Sequence, residues 1–227
     1  MANKYQQWKT NTECEVSNTT NPYDEAGSTH NELMARIESE GNPEMTLDEV
    51  FELSDNVLKD TYGDELVPGY SSKEFATPII NFDSEETYRN YINSLKINEE
   101  QKTLAFRLYD IMFTYTGTNL CEVIEQIKEF ENEVLQNYKP EDIENVLISS
   151  SVGRYALAYW DGRVSENEIL ALRGFWKKLF TGIADAIGAV GGAIAGAATV
   201  VGGIAGGVVG AIGASAGFAE VWDVFAN

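Results

Sequence analysis

Two short stretches carry residue types that could do chemistry. His30 is the single histidine of the chain and stands in YDEAGSTHNE, six residues after Asp24. Asp/His pairs act as metal ligands or in acid–base catalysis, so an enzyme using this region is one hypothesis, although a lone histidine where a helix begins more often has a structural role. The run DTYGDE at 60–65 carries carboxylates but lacks the alternating ligands and the distal glutamate of a calcium loop.

No catalytic or cofactor signature accompanies these stretches. The chain contains no G-x-S-x-G, P-loop, dinucleotide-binding glycine pattern or C-x-x-C. We therefore expect no enzyme activity, no cofactor, no metal and no small-molecule substrate. The only cysteines are Cys14 and Cys121. A bridge between them is one option, but two do not make a disulfide framework, and the sequence favours buried or incidental thiols.

The charge of the chain limits its partners. The formal net charge is −20, and residues 1–165 hold 13 Lys/Arg against 31 Asp/Glu. Nucleic-acid binding is not expected, because phosphate contacts need a basic face. Any membrane affinity must come from apolar residues, since anionic lipid repels an acidic surface. The first 16 residues have no apolar run and predict no ordinary signal peptide, which leaves a cytoplasmic location as the alternative to a membrane or envelope location.

Helical periodicity with N-terminal capping signals dominates the first 165 residues, and no segment alternates as a strand would. The predicted fold is all-α, an acidic helical bundle followed by a glycine-zipper hairpin. Helix starts are predicted at Ser28 or Thr29, Thr46 with Glu49, Ser84, Asn98, Thr118 or Asn119, and Pro140. The predicted units are an irregular arm (1–27), an acidic helical domain (28–163), an amphipathic aromatic helix (164–185) and an apolar tail (186–227). Glu129, Glu133 and their neighbours are expected on a solvated helix face.

The tail is the most informative segment of the chain. Residues 186–219 are 34 consecutive uncharged residues, more than the ~20 that a membrane-spanning helix needs. On a helical wheel their glycines share one face and the bulky Val and Ile residues the other, a pattern that lets helix backbones approach closely in lipid. The predicted helix-packing residues are Gly188, Gly192, Gly196, Gly202, Gly206 and Gly210. The predicted membrane-interface residues are Trp176, Lys177, Lys178 and Trp222.

The environment of such a helix can be argued from propensity. Each glycine costs up to ~1 kcal/mol in a water-exposed helix relative to alanine, whereas hydrocarbon enforces helix whatever the composition. A hairpin broken near 201–203 is favoured over one long helix, which would exceed the bilayer core. The alternatives are a helical hairpin sheltered against the bundle in a soluble form, and a disordered linker.

Two stretches resemble a family of uncharacterised bacterial proteins. They are NPYDEAGSTHNE, which matches NP-[YF]-D-x-x-G-x-x-HN, and SSVGRYALAYW, which matches its S-V-[AG]-[RK]-Y helix. The matching residues are Asn21, Pro22, Tyr23, Asp24, Gly27, His30 and Asn31, then Ser151, Val152, Arg154, Tyr155 and Trp160. The family also carries a glycine-zipper tail, and the resemblance implies an exported or envelope-associated protein without an activity that can be carried over. This chain departs from the pattern in showing no leader or lipobox. The tail is also similar in composition to segments of pore-forming bacteriocins.

These observations favour a non-enzymatic bacterial protein whose tail inserts into, or oligomerises at, a membrane, as a pore-former, an envelope component or an antibacterial effector. Membrane lipid is the expected partner, with a homo-oligomer as a further option. The alternative is a soluble helical interaction module whose glycine-rich hairpin packs on itself or on a partner.

Overall fold

The computed structural model describes residues 14–42, 45–63, 71–76, 85–161, 184–186, 188–189 and 192–193. Within these ranges the chain is all helical and contains no strand, which confirms the predicted fold class. The helices are α1 (Glu25–Glu40), α2 (Leu47–Tyr62), α3 (Ser72–Ala76), α4 (Glu85–Ser94), α5 (Glu99–Met112), α6 (Leu120–Asn137) and α7 (Glu144–Asp161). A single 3₁₀ turn, Pro140–Asp142, precedes α7.

The helix starts predicted at Thr46 and Asn98 are confirmed, and each is closed by a capping box. The Thr46 hydroxyl accepts the Glu49 N–H while the Glu49 carboxylate accepts the Thr46 N–H. Asn98 and Gln101 make the equivalent reciprocal pair at the start of α5. Each pair satisfies two polar groups at a helix end, which is why these helix starts could be predicted from local sequence.

Two local predictions were wrong. Helix α1 begins at Glu25 rather than after Ser28 or Thr29, because Asp24 takes the N-cap position. The helix expected directly after Pro140 is split, since Pro140–Asp142 forms a 3₁₀ turn and α7 starts at Glu144. The short helix α3 was not predicted from the sequence.

The cysteine prediction was also wrong. Cys14 and Cys121 form a disulfide that ties the N-terminal arm to the first turn of α6. The predicted apolar stripe of α6 places Ile124 and Ile127 in the core, so the packing of that helix fixes where Cys121 lies. Sequence separation gave no guide to this pairing, because the two residues are 107 positions apart.

Helix α7 forms the centre of the bundle. Every residue from Asn145 to Trp160 is buried except Tyr155. Helix α1 makes the most extensive contact with α7, and α5 and α6 also pack against α7. A helix that is buried on all sides does not show a clean amphipathic pattern, and its serines and arginine must find partners inside the protein. The polar side chains of α7 therefore direct attention to its interfaces.

The tail is described only at its start. Residues 184–186, 188–189 and 192–193 are helical and buried; we call them the docked segment. Among the described residues, no helix combines the length and the apolarity that crossing a bilayer requires. The aromatic helix predicted at 164–185 lies outside the described residues except for its last two positions, and so does the predicted hairpin beyond residue 193.

Candidate functional site

The two sequence motifs meet at the contact between α1 and α7. The Gly27 N–H donates to the Ser151 hydroxyl at 3.0 Å, and that hydroxyl donates to the Asp24 carbonyl at 2.8 Å. A Cβ atom added at Gly27 would lie 2.3 Å from Tyr155 Cδ2 and 2.6 Å from the Ser151 carbonyl oxygen. Glycine is therefore required here by the close approach of two helix backbones.

A buried ion pair lies next to this contact. Arg154 and Glu131 are both fully buried, and Arg154 Nε and Nη2 donate to Glu131 Oε1 at 3.2 and 3.1 Å. Arg154 Nη2 also donates to Asp24 Oδ1 at 2.5 Å, and Nη1 donates to the Val16 carbonyl. A buried arginine needs this degree of pairing, because an uncompensated buried charge is strongly destabilising.

Both carboxylate oxygens of Glu131 accept further hydrogen bonds. Oε1 accepts the Asn21 amide at 2.8 Å and the Ser150 hydroxyl at 2.6 Å, and Oε2 accepts the Asn18 amide at 2.6 Å. The Asn21 amide also donates to the Leu147 carbonyl at 2.9 Å. Glu131 thus joins the arm to α7 through side chains of three separate segments, and its carboxylate is well satisfied.

Asp24 and His30 have different side-chain partners. Asp24 binds Arg154, and its other oxygen accepts the Tyr155 hydroxyl at 3.4 Å. Burial, with a contribution from Asp24, raises the pKa of Tyr155 to about 12. No hydrogen bond or ion pair between Asp24 and His30 occurs in the described part of the chain. The enzyme hypothesis based on this pair therefore loses its geometric support.

His30 contacts the docked segment. Its ring is fully buried, and Nδ1 lies 3.0 Å from Asn31 Oδ1. Because the Asn31 amide nitrogen donates to the Tyr155 carbonyl, its oxygen is left as the acceptor, and Nδ1 carries the proton. Nε2 faces Asp185 Oδ2 at 3.7 Å, too far for a hydrogen bond. Burial lowers the pKa of His30 to about 4, so the imidazole is neutral at pH 7.

The docked segment is held by polar contacts at its beginning. Trp160 Nε1 donates to Asp185 Oδ2 at 2.9 Å, and both residues are buried. The Ser149 hydroxyl donates to the Ala186 carbonyl at 2.7 Å. A Cβ atom added at Gly153 would lie 3.1 Å from Met112 Sδ and 3.4 Å from Ala186 Cβ, so Gly153 lies between α5 and the docked segment.

The described glycines of the tail lie against the protein. Gly188 and Gly192 are helical and buried, together with four alanines of the core, Ala184, Ala186, Ala189 and Ala193. The other predicted helix-packing glycines, Gly196, Gly202, Gly206 and Gly210, lie outside the described residues. The same is true of the predicted interface residues Trp176, Lys177, Lys178 and Trp222.

Sequence reasoning missed two acidic residues of this site. Glu131 was expected on a solvated face but is buried. A signal was present, because position 131 follows Ile127 by four and precedes Val134 by three, which places it on the apolar stripe of α6. Asp185 had a weaker signal, as the only charged residue between Lys178 and Glu220.

The described residues show little sign of a metal centre. They contain no group of three or more His, Cys, Asp or Glu side chains arranged to hold an ion. Asp60, from the acidic run that was compared with a calcium loop, accepts from Arg36 at 2.9 Å.

The remaining residues of the N-terminal motif are divided between the core and the surface: Tyr23 is buried, whereas Pro22 is exposed.

Comparison of the chain with protein-family models, curated proteins and solved structures found no match.

Proposed function

We propose that this chain is a non-enzymatic bacterial protein that carries a glycine-zipper segment on an acidic helical bundle and inserts or oligomerises that segment at a membrane. The observation that carries the proposal is the docked segment, which is buried against α7 although it opens a run of 34 uncharged residues. A segment of this composition needs either lipid or packed helices around it. The bundle supplies packed helices at the start of the run.

The docked segment contacts the bundle through small side chains, as expected of a segment that moves from the bundle into a bilayer. Each described position of the docked segment is Ala, Gly or Asp. At about 0.8 kcal/mol for each buried methyl-sized group, its four alanines contribute about 3 kcal/mol. One buried leucine contributes nearly as much. The four described alanines by themselves therefore oppose transfer of the segment into a bilayer only weakly.

Asp185 sets the limit of the segment that could enter lipid. A carboxylate at the bilayer centre costs about 3 kcal/mol on insertion scales, and the uncharged run begins directly after this residue. The inserted segment is therefore proposed to lie within 186–219. Asp185, in contact with Trp160 in the docked form, stays on the side of the bundle.

The disulfide supports a location outside the cytoplasm. Cys121 is exposed, and disulfides persist in oxidising compartments while reducing compartments open them. This agrees with the exported or envelope-associated character that the family resemblance implies. A cytoplasmic location remains the alternative.

A second function is favoured by the same docked segment. If the whole tail stays on the bundle, the chain is a soluble interaction module whose glycine face packs on itself or on a partner. The burial of Gly188 and Gly192 agrees with this alternative. It agrees equally with a membrane-inserting protein whose tail packs on the bundle before insertion.

Vesicle flotation of two chains tests the proposal. The first is the full chain, and the second ends after Ala193, so that it keeps every described contact and loses the rest of the tail. We expect only the full chain to float and to resist salt and carbonate, because the apolar residues after 193 supply the membrane affinity. A full chain that elutes as a defined soluble species and does not float would favour the interaction module.

A pair of substitutions distinguishes oligomerisation through the glycine face from non-specific association of an apolar segment. Gly206→Ile places bulk on the glycine face of the tail, whereas Val208→Ile adds one methylene to the bulky face. Helix association through small residues predicts that the first substitution disrupts membrane oligomers seen by cross-linking and that the second does not. Equal oligomer yields from both variants would contradict the glycine-zipper assignment.

A further inference from the structure

The connection between α5 and α6 differs from the rest of the acidic bundle because it carries no charge. Residues 111–121 lie between Asp110 and Glu122 and form the longest run without Asp, Glu, Lys or Arg before residue 186. Residues 113–119 of this run connect the two helices, and we call them the neutral loop. Its exposed side chains are threonines, at positions 114, 116 and 118. The bundle therefore has one surface on which lipid headgroups meet no carboxylate.

The polar groups of the neutral loop are paired with one another. Asn119 Oδ1 accepts the Thr116 N–H at 2.7 Å and the Thr116 hydroxyl at 2.9 Å, and Asn119 Nδ2 donates to the Thr114 carbonyl at 3.0 Å. The Thr114 hydroxyl donates to the Ile111 carbonyl at 2.7 Å. Polar groups that already have partners lose little when water is removed from them. This pairing lets the loop lie against a bilayer surface at a low desolvation cost.

The neutral loop lies close to the start of the tail. The Tyr115 hydroxyl donates to Asp161, the last residue of α7. At the beginning of the loop, Met112 and Ala186 both lie within 3.4 Å of a Cβ atom added at Gly153. Ala186 is the first residue of the run of 34 uncharged residues. A tail that enters a bilayer from this position therefore brings the neutral loop towards the same bilayer.

The opposite end of the bundle is strongly charged. Residues 95–102 and 138–145 meet there, because the Gln101 amide donates to the Asp142 carbonyl. Together these two segments hold three lysines and five carboxylates. Charged side chains are costly to move out of water into a membrane. The charged end is therefore a poor membrane contact in comparison with the neutral loop.

The neutral area is limited in extent. Helix α1 runs in the same direction as α7, because Gly27 meets Ser151 and Asn31 meets Tyr155. The acidic last turn of α1 therefore also lies towards the end that bears the tail. These carboxylates would be repelled by anionic lipid. The surface that the loop fits is one of low net charge, such as that of zwitterionic lipid.

We propose that the neutral loop is the part of the bundle that contacts zwitterionic lipid headgroups when the tail enters the bilayer. Its threonines present methyl and hydroxyl groups to the headgroup layer, and the half-buried Phe113 adds apolar surface beside them. The inference rests on the proposed membrane function and adds the orientation of the bundle to it. The neutral loop faces the bilayer, and the end formed by residues 95–102 and 138–145 points away.

Fluorescence quenching by lipid tests this orientation. The full chain receives a bimane label through Thr118→Cys on the neutral loop or Thr103→Cys near the start of α5, both at exposed positions. Labelling without reductant keeps the native disulfide closed. The vesicles are phosphatidylcholine with a doxyl quencher just below the headgroup. We expect strong quenching at position 118 and little at position 103, because nine residues of helix, about 14 Å, separate Thr103 from the end of α5.

A matched pair of substitutions measures what the loop contributes to binding. Thr118→Glu places a charge on the neutral loop, beside the start of α6, where a carboxylate is favourable for the helix. Thr103→Glu places the same charge near the other end of the bundle. The first should weaken partitioning into phosphatidylcholine vesicles about 5-fold, as a charge near a bilayer interface does, and the second should leave it unchanged. Circular dichroism verifies that both variants are folded.

The outcomes separate this inference from the proposed function. A full chain that does not float with the vesicles would contradict both. A chain that floats while its label at position 103 is quenched as strongly as the label at position 118 would contradict the orientation alone. Equal partitioning of Thr118→Glu and Thr103→Glu would likewise show that the neutral loop does not contact the lipid.

Discussion

At the scale of single residues, the motif positions are occupied by side chains that solve a packing or a pairing requirement. Gly27 has no room for a side chain, Ser151 bridges two backbone groups, and the positive charge of Arg154 is compensated by Glu131 inside the core. Their spacing along the chain is set by the register of α1 on α7. This explains why residues with catalytic potential, such as Asp24, are engaged in holding the fold together.

The glycine at position 27 gives a direct test of this register. Gly27→Ala puts a methyl group 2.6 Å from the Ser151 carbonyl oxygen, a backbone atom that cannot rotate away. We expect a loss of about 1–3 kcal/mol in the free energy of unfolding, as overpacked cores show. Urea denaturation measures it, and an unchanged midpoint would mean that α1 and α7 do not approach this closely.

Glu131 supplies a second test at this scale. Glu131→Gln leaves Arg154 with only the partly exposed Asp24 as a charged partner, and breaking a buried pair costs about 3–5 kcal/mol. Glu129→Gln, two residues away and exposed, should change the free energy of unfolding by less than about 0.5 kcal/mol. Similar small effects from both substitutions would contradict the buried network.

At the scale of elements, α7 is the shared partner of the arm, α1, α5, α6 and the docked segment. Its two ends differ in what they bind. Trp160 donates to Asp185 near the C-terminal end, and Asn145 and Ala193 line one pocket near the N-terminal end. The docked segment thus runs antiparallel to α7, from Asp185 beside Trp160 to Ala193 beside Asn145, and changes at either end can alter its hold.

The pH dependence of stability tests the contact of α1 with the docked segment. The pKa of His30 is about 4 in the folded protein against an ordinary value of 6.5, so the unfolded chain binds the proton first as the pH falls. The His30 contribution to stability is complete above pH 6.5 and is lost progressively down to pH 4. At pH 5 the expected loss is about 2 kcal/mol.

A histidine-free variant isolates this effect from the titration of carboxylates. Denaturation of the wild-type chain and of His30→Gln at pH 7 and pH 5 gives two pH-dependent losses. Their difference should be about 2 kcal/mol, larger for the wild type. Parallel losses in the two proteins would show that burial of His30 does not govern its titration.

At the scale of the whole molecule, the N-terminal arm is fastened across the bundle. The disulfide fixes Cys14 to Cys121, and Lys128 donates to the Glu15 carbonyl, while Arg154 and Glu131 bind residues further along the arm. Contacts of such high sequence separation close a large loop in the unfolded chain. Residues 14–27 of the arm therefore belong to the folded unit, although their sequence is polar and irregular.

Reduction of the disulfide should lower stability measurably. In the loop-closure model a bridge across about 100 residues contributes up to about 4.7 kcal/mol, and 2–4 kcal/mol is typical. The melting temperature of the Cys14→Ser, Cys121→Ser double variant should be lowered by several degrees, and a reductant should lower that of the wild type alone. A reductant that affects both proteins equally would count against the bridge.

Local sequence determined the helical class and several helix starts. Capping boxes such as Thr46 with Glu49 act within one turn, and apolar stripes such as that of α6 repeat every three to four residues, so neighbouring residues carry all the information needed. The division of the tail into a glycine face and a bulky face assumes a helix, and beyond residue 193 it stays a prediction.

Only the tertiary structure decided which distant residues meet. The pairing of Cys14 with Cys121, the burial of Glu131 beside Arg154 and the contact of His30 with Asp185 join residues from separate segments. Composition and periodicity predict which face of each helix is buried, but they do not predict which other helix packs against that face. That choice depends on the summed packing and charge compensation of the whole bundle, which no local window of sequence contains.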